Sequence, residues 1–179
     1  MVAELIKRLL LGSSGLFSLV ISSAGVAGPA NDPQHNATII AAHAQLAAAT
    51  RELEVRTSEC DGMRETLPPE LFSNISASDD ELRTSLAYLS IRADNQCVKH
   101  EAAQFVVAAL LLEGQFDRNG GTAPHAPMTT LIMESLQTEI ERLTQYRQVS
   151  ADLRRELERI DRLNKPFNLI ETARGLELY

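Results

Sequence analysis

The chain has 179 residues, a net charge of −7 and no tryptophan, with three tyrosines and five phenylalanines as its only large aromatics. An acidic chain has no basic surface with which to neutralise phosphates, so nucleic acid is excluded as an expected partner. The apolar set is rich in Leu, Ala and Ile, which suits helix packing, and no run of alternating apolar and polar residues calls for a strand.

Residues 1–27 read as an export signal: Lys7 and Arg8 form a basic start, Leu9 to Ala24 an uncharged apolar run, and small residues follow. Cleavage is expected after Ala27, with Gly25 at the minus-three position, or after Ala30, with Gly28 there. The alternative is an uncleaved signal anchor, although Gly12, Ser13, Ser14, Gly15, Ser18, Ser22 and Ser23 dilute the run. Either way residues 28–179 form one exported domain, periplasmic or extracellular. Loss of Glu4, Lys7 and Arg8 takes 17 basic and 24 acidic residues to 15 and 23, a net charge of −8 that also resists anionic lipid. Membrane contact is therefore expected only through the N-terminal segment, if it is retained.

An all-α bundle of three long helices is expected, at about 33–60, 79–113 and 128–165, with a short C-terminal segment packed back on it. Asp32 and Pro33 announce the first helix, whose stripe runs Ile39, His43, Leu46, Thr50, Leu53, Thr57 and Cys60, widened by alanines. Pro68 and Pro69 end any continuation. The second helix opens on a capping box, Ser78 with Glu81, and carries Leu82, Leu86, Leu89, Ala93, Cys97, His100, Gln104, Val107 and Leu111. Its segment Phe105 to Leu112 is apolar all round and is expected to be the most deeply buried part. A Gly- and Pro-bearing loop, 115–127, leads to the third helix, whose stripe runs Ile132, Leu136, Ile140, Leu143, Tyr146, Val149, Leu153, Leu157, Ile160 and Leu163. Glu158 and Arg162 are set for an i,i+4 pair. Pro166 closes this helix, and Phe167, Leu169 and Ile170 are available to fold back.

Two cysteines in an exported chain most often pair with each other, so Cys60 and Cys97 are expected to form a disulfide; intermolecular pairing and free thiols are the alternatives. The bond constrains the topology. A simple hairpin turning near Pro69 would leave Cys97 about 22 Å along the axis from Cys60, beyond the ~4.4–6.8 Å that α-carbons of a disulfide span. Residues 61–78 must then double back along the second helix, and the first helix shifts toward the Leu110 end.

Chemistry is sparse. His100-Glu101-Ala102-Ala103-Gln104 has the outline of a zinc-protease helix, but Gln104 stands where the second histidine belongs. Cys60, Cys97 and His100 make an incomplete metal set. No haem box, G-x-S-x-G elbow or phosphate-binding glycine pattern occurs, and Asn36-Ala37-Thr38 and Asn74-Ile75-Ser76 match the glycosylation triplet by chance. The expected function is that of a non-enzymatic exported bundle, with no cofactor, monomeric or homodimeric. It would bind an unidentified protein through loop 115–127 or the last helix, where Leu153, Leu157 and Ile160 are the candidates. The alternatives are a membrane-anchored coiled-coil rod and a metal- or ligand-binding bundle.

Overall fold

The computed structural model describes residues 33–117 and 128–178; the segment expected to be an export signal, 1–27, and most of loop 115–127 lie outside them. The described chain is mostly helical: α1 Pro33–Gly62, α2 Asp79–Cys97, α3 Lys99–Asp117, α4 Met128–Gln148, α5 Ala151–Glu158 and α6 Leu169–Gly175, with 3-10 turns at Pro69–Phe72 and Asp161–Asn164. Among the described residues no strand forms, only an isolated parallel bridge between Glu65 and Phe167.

Cys60 and Cys97 are joined, with α-carbons 6.2 Å apart. The return strap that this join requires is present. Arg64 meets Asp94 at 2.9 Å near the end of α2, Phe72 packs in the same core as Leu86 and Leu89, and Ser78 caps the start of α2. There the Glu81 N–H donates to Ser78 Oγ at 3.3 Å and the Ser78 N–H donates to Glu81 Oε2 at 3.2 Å. The chain thus leaves α1 at one end of α2 and enters α2 at the other. α1 is left lying antiparallel along α3, with Leu53, Cys60 and Ala49 against Val98, Ala102, Phe105 and Ala108.

Two of the three long helices expected from the periodicity are divided. The second breaks at Val98, whose φ of −102° and ψ of 8° leave the helical range. Arg56 Nε donates to the Cys97 carbonyl at 2.9 Å, taking an acceptor that an unbroken helix would keep for itself. The third ends at Gln148, and Ser150 starts a new helix by accepting the Leu153 N–H at 3.2 Å. Residues 151–164 then turn back onto the body, so a dimeric rod has no continuous seam from 128 to 165. The Glu158–Arg162 pair does not form: Arg162 instead holds both oxygens of Glu65, at 2.7 and 2.8 Å, and that guanidinium lowers the Glu65 carboxyl below its usual pKa.

The main core joins strap, α2, the end of α4, α5 and the tail: Leu67, Phe72, Leu86, Leu89, Tyr146, Val149, Leu153, Leu157, Leu163, Phe167 and Leu178. Phe167 is fully buried, whereas Ile170, expected to fold back with it, is 58% exposed. Phe105–Leu112 is not the deepest region. α1 covers one side of α3 and α4 makes a smaller contact with it, leaving Val107, Leu110 and Leu111 exposed while Phe105, Ala108, Ala109 and Leu112 are buried.

The strap and tail are also joined by polar contacts. The Asn168 N–H donates to the Glu65 carbonyl at 2.8 Å, and the Leu67 N–H donates to Thr172 Oγ1 at 3.0 Å, with both of the latter residues fully buried. Thr172→Val keeps the shape and removes the acceptor. It is expected to cost about 1–3 kcal/mol, the penalty for a buried unsatisfied amide, measured as a shift in urea midpoint at unchanged slope.

Candidate functional site

His100 and Gln104 lie one turn apart on α3 with side-chain nitrogens 3.0 Å apart, both exposed. They face an open groove beside Glu52 and α1, with no second histidine. Cys60 and Cys97 are consumed by their disulfide and offer no thiolate to a metal. Among the described residues, no three His, Cys, Asp or Glu side chains gather around a common point. The geometry of the His100 helix therefore supplies neither a metal box nor a nucleophile–base pair.

Among the described residues, Tyr146 is the shifted group that lies in the core. Its ring stacks on Tyr88 with centroids 4.4 Å apart, and its hydroxyl donates to Glu158 Oε1 at 3.2 Å. Burial, followed by the Glu158 charge, pushes its pKa up from 10.0 to about 12. Arg92 lies 3.6 Å from Glu158 and donates to Asn164 Oδ1 at 2.8 Å, so the cluster ties α2, α4, α5 and the second 3-10 turn together. A phenol held protonated and capped by its own acceptor is a structural strut. Because the folded pKa is raised, this strut's contribution to stability is complete below the ordinary tyrosine pKa and is lost as pH rises through about 12. Ultraviolet titration should accordingly find Tyr146 ionising well above the ordinary tyrosine pKa, and Glu158→Gln should bring its ionisation forward.

Leu153 and Leu157 are 2% and 0% exposed, and Ile160 packs against the same core. The break at Ser150 rotates their stripe inward. Leu153 and Leu157 are core residues in this fold, and Ile160 is half-buried against them. Exposed large apolar residues occur at Ile40, Val55, Met63 and Ile170, but on α4 they form a run, Met133, Leu136 and Ile140, which are 65%, 47% and 62% exposed at three- and four-residue spacing. On the same helix Ile132, Ser135, Glu139 and Leu143 are half-buried, so α4 presents the more polar of two adjacent stripes to its own domain. Exposed Glu134 and Glu141 flank the apolar stripe. Val107, Leu110 and Leu111 add exposed apolar surface on α3, the helix α4 packs against. Single exposed apolar residues are ordinary, but this many on two packed helices is a marked concentration.

A shallow groove of about 410 Å³ separates α2 from α4, bordered by Arg83, Thr84, Tyr88, Arg142 and Gln145. Arg83 is already engaged, donating to the Leu178 carbonyl at 3.1 and 2.8 Å and to Asp80 at 2.9 Å. With Arg83 committed elsewhere and Glu141 on the same rim, that groove is a seam between two helices rather than an anion site.

Sequence periodicity placed Leu136 and Ile140 in the core stripe and passed over Met133. The available signal was the adjacent pair Ile132-Met133 with Leu136 and Ile140, which makes an apolar arc wider than one neighbouring helix covers. Compared with known protein families, curated proteins and solved structures, the chain shows no significant match.

Proposed function

We propose that the chain is an exported, non-enzymatic helical domain that acts by binding another protein through the exposed face of α4 and the adjoining end of α3. The observation that carries this reading is the stripe Met133, Leu136 and Ile140, left in solvent by a helix that turns its more polar side to its own domain. A Cys60–Cys97 disulfide is compatible with an oxidising compartment and supports the exported reading.

The face also indicates the kind of partner. Its rim carries Glu134 and Glu141 on a chain of net charge −7, so the complement is a protein that sets apolar side chains into the stripe and basic ones at its edge. An anionic bilayer is a poor match for the same reason.

The test is capture from an extract of the compartment to which the chain is exported, comparing wild type with Leu136→Asp/Ile140→Asp. Both sites are already wet, so the double variant should keep its helical content and unfolding midpoint, the latter to within about 0.5 kcal/mol per site. It should lose at least roughly tenfold in affinity for the captured protein, since interface anchors carry 1–2 kcal/mol or more each. Equal capture by both proteins counts against the reading. So does concentration-dependent self-association of purified wild type that accounts for all the binding.

A further inference from the structure

We infer that the Cys60–Cys97 bond is a redox latch on a two-helix arm: it holds α1 against α3, and its reduction releases α1 while the rest of the domain stays folded. The domain has two separate apolar clusters that share no residue. One is the main core of strap, α2, α4, α5 and tail. The other is the α1–α3 contact, in which α1 contributes Ala49, Leu53 and Cys60 with half-buried Leu46 beside them. Of these only Leu53 is a large, fully buried side chain, so α1 is thinly packed compared with the Leu- and Phe-rich body.

The bond sits where arm joins body. Cys60 is in the last turn of α1, and Cys97 immediately precedes the helix break at Val98. On the other strand of that junction Gly62 has open space around it and Met63 is exposed, before Arg64 and Glu65 fasten the strap to Asp94 and Arg162. A swing of the backbone at residues 62–63 gives up the Met63 N–H bond to the Glu59 carbonyl at 3.1 Å and the Arg64 N–H bond to the Asp61 carbonyl at 3.3 Å, while the Arg64–Asp94 and Glu65–Arg162 pairs keep the strap in place. Apart from the disulfide, the polar side-chain ties at the end of α1 are Arg56 donating to the Cys97 carbonyl at 2.9 Å and Asp61 paired with Arg64 at 3.0 Å, both at the hinge end of the helix.

The two cysteines differ in exposure. Cys60 is 4% exposed, whereas Cys97 is half-buried and borders a groove of about 440 Å³ with Met63, Gln96 and Lys165. An external dithiol entering there attacks Cys97 Sγ as its thiolate, and Lys165 favours that anion electrostatically. The S–S bond breaks and Cys60 leaves as thiolate. The reductant's second thiol then attacks the mixed disulfide and releases Cys97, so two electrons and two protons pass to the cysteine pair and the dithiol becomes a disulfide. Oxidation by a protein or glutathione disulfide runs the same exchange in reverse. On the exported reading, α1 stays unlatched behind the signal in a reducing cytoplasm and is latched after crossing.

Hydrogen exchange on the purified chain tests the latch independently of any partner or compartment. Three forms are compared: oxidised, reduced by dithiothreitol without denaturant, and Cys60→Ala/Cys97→Ala, with glutathione disulfide used to restore the bond. Reduction and the double variant should each lower the protection of amides in residues 42–60 at least roughly tenfold, with α2 and α5 held within about twofold, and reoxidation should restore α1. Unchanged protection of α1 in the reduced form overturns the inference. So does loss of protection in the body together with α1, or failure of dithiothreitol to reduce the bond in the folded chain.

Discussion

Leu153→Asp is expected to unfold the domain. Leu153 is 2% exposed, between Tyr146, Val149 and Leu157 in the main core, and the neighbouring guanidiniums are already engaged, Arg154 on the Val149 carbonyl and Arg92 on Glu158. Burying an unpaired charge costs roughly 4 kcal/mol or more, against a total stability of ~5–15 kcal/mol for a domain of this kind. Circular dichroism should show helical signal lost, or a urea midpoint near zero. Ile140→Asp, on the same apparent stripe but 62% exposed, should leave the midpoint within about 0.5 kcal/mol of wild type. The contrast separates two roles that periodicity alone assigns together. A folded Leu153→Asp protein of native stability would mean that the helix does not break at Ser150.

Phe167→Ala should cost about 3–5 kcal/mol, the range for emptying a fully enclosed phenylalanine site. Phe167 is 0% exposed and follows Pro166, beside the bridge to Glu65 and the Asn168–Glu65 hydrogen bond. The tail is thus part of the main core and not a flap laid over a finished bundle. Removal of its ring should loosen the strap as well. Arg162→Ala, which cuts the exposed pair with Glu65 and leaves the apolar core intact, should cost well under 1 kcal/mol. A Phe167→Ala midpoint no lower than that of Arg162→Ala would show that the tail is dispensable.

Much of this fold is legible in local chemistry. Ser78 and Glu81 specify a helix start because both partners of the capping box lie within four residues, and the structure forms both hydrogen bonds. The return strap was legible for a different reason: a disulfide has a short reach, so the spacing of Cys60 and Cys97 forbids a simple hairpin. The breaks at Val98 and Ser150 were not legible. Apolar spacing continues through both, and what decides them is long-range: Arg56 reaching the Cys97 carbonyl from 41 residues away, and a core that draws Leu153 and Leu157 back onto Leu86 and Leu89. A serine such as Ser150 can sit inside a helix or cap a new one, and only tertiary packing selects.

The same long-range packing decided the surface. Leu153, Leu157, Leu136 and Ile140 share a three-four pattern, but the turn after Val149 takes the first two inward and leaves the last two outside. In segment 152–162 the sequence sets Glu158 and Arg162 as an i,i+4 pair; in the fold each braces a different element instead, Arg162 on Glu65 and Glu158 on Arg92 and Tyr146, while Arg155, Glu156 and Arg159 stay exposed. A stripe read from sequence reports which residues avoid water, not which neighbour removes it.

Site-specific photo-crosslinking in the exporting cell tests the proposed binding face most directly. A photoreactive side chain replacing Ile140 is compared with one replacing Ile170, which is 58% exposed and so nearly as wet, but lies on α6 away from the α4 stripe. The account predicts a discrete protein adduct from position 140 that disappears with Leu136→Asp and is absent from position 170. Adducts of equal yield from both positions, or from position 140 only to lipid, would contradict it.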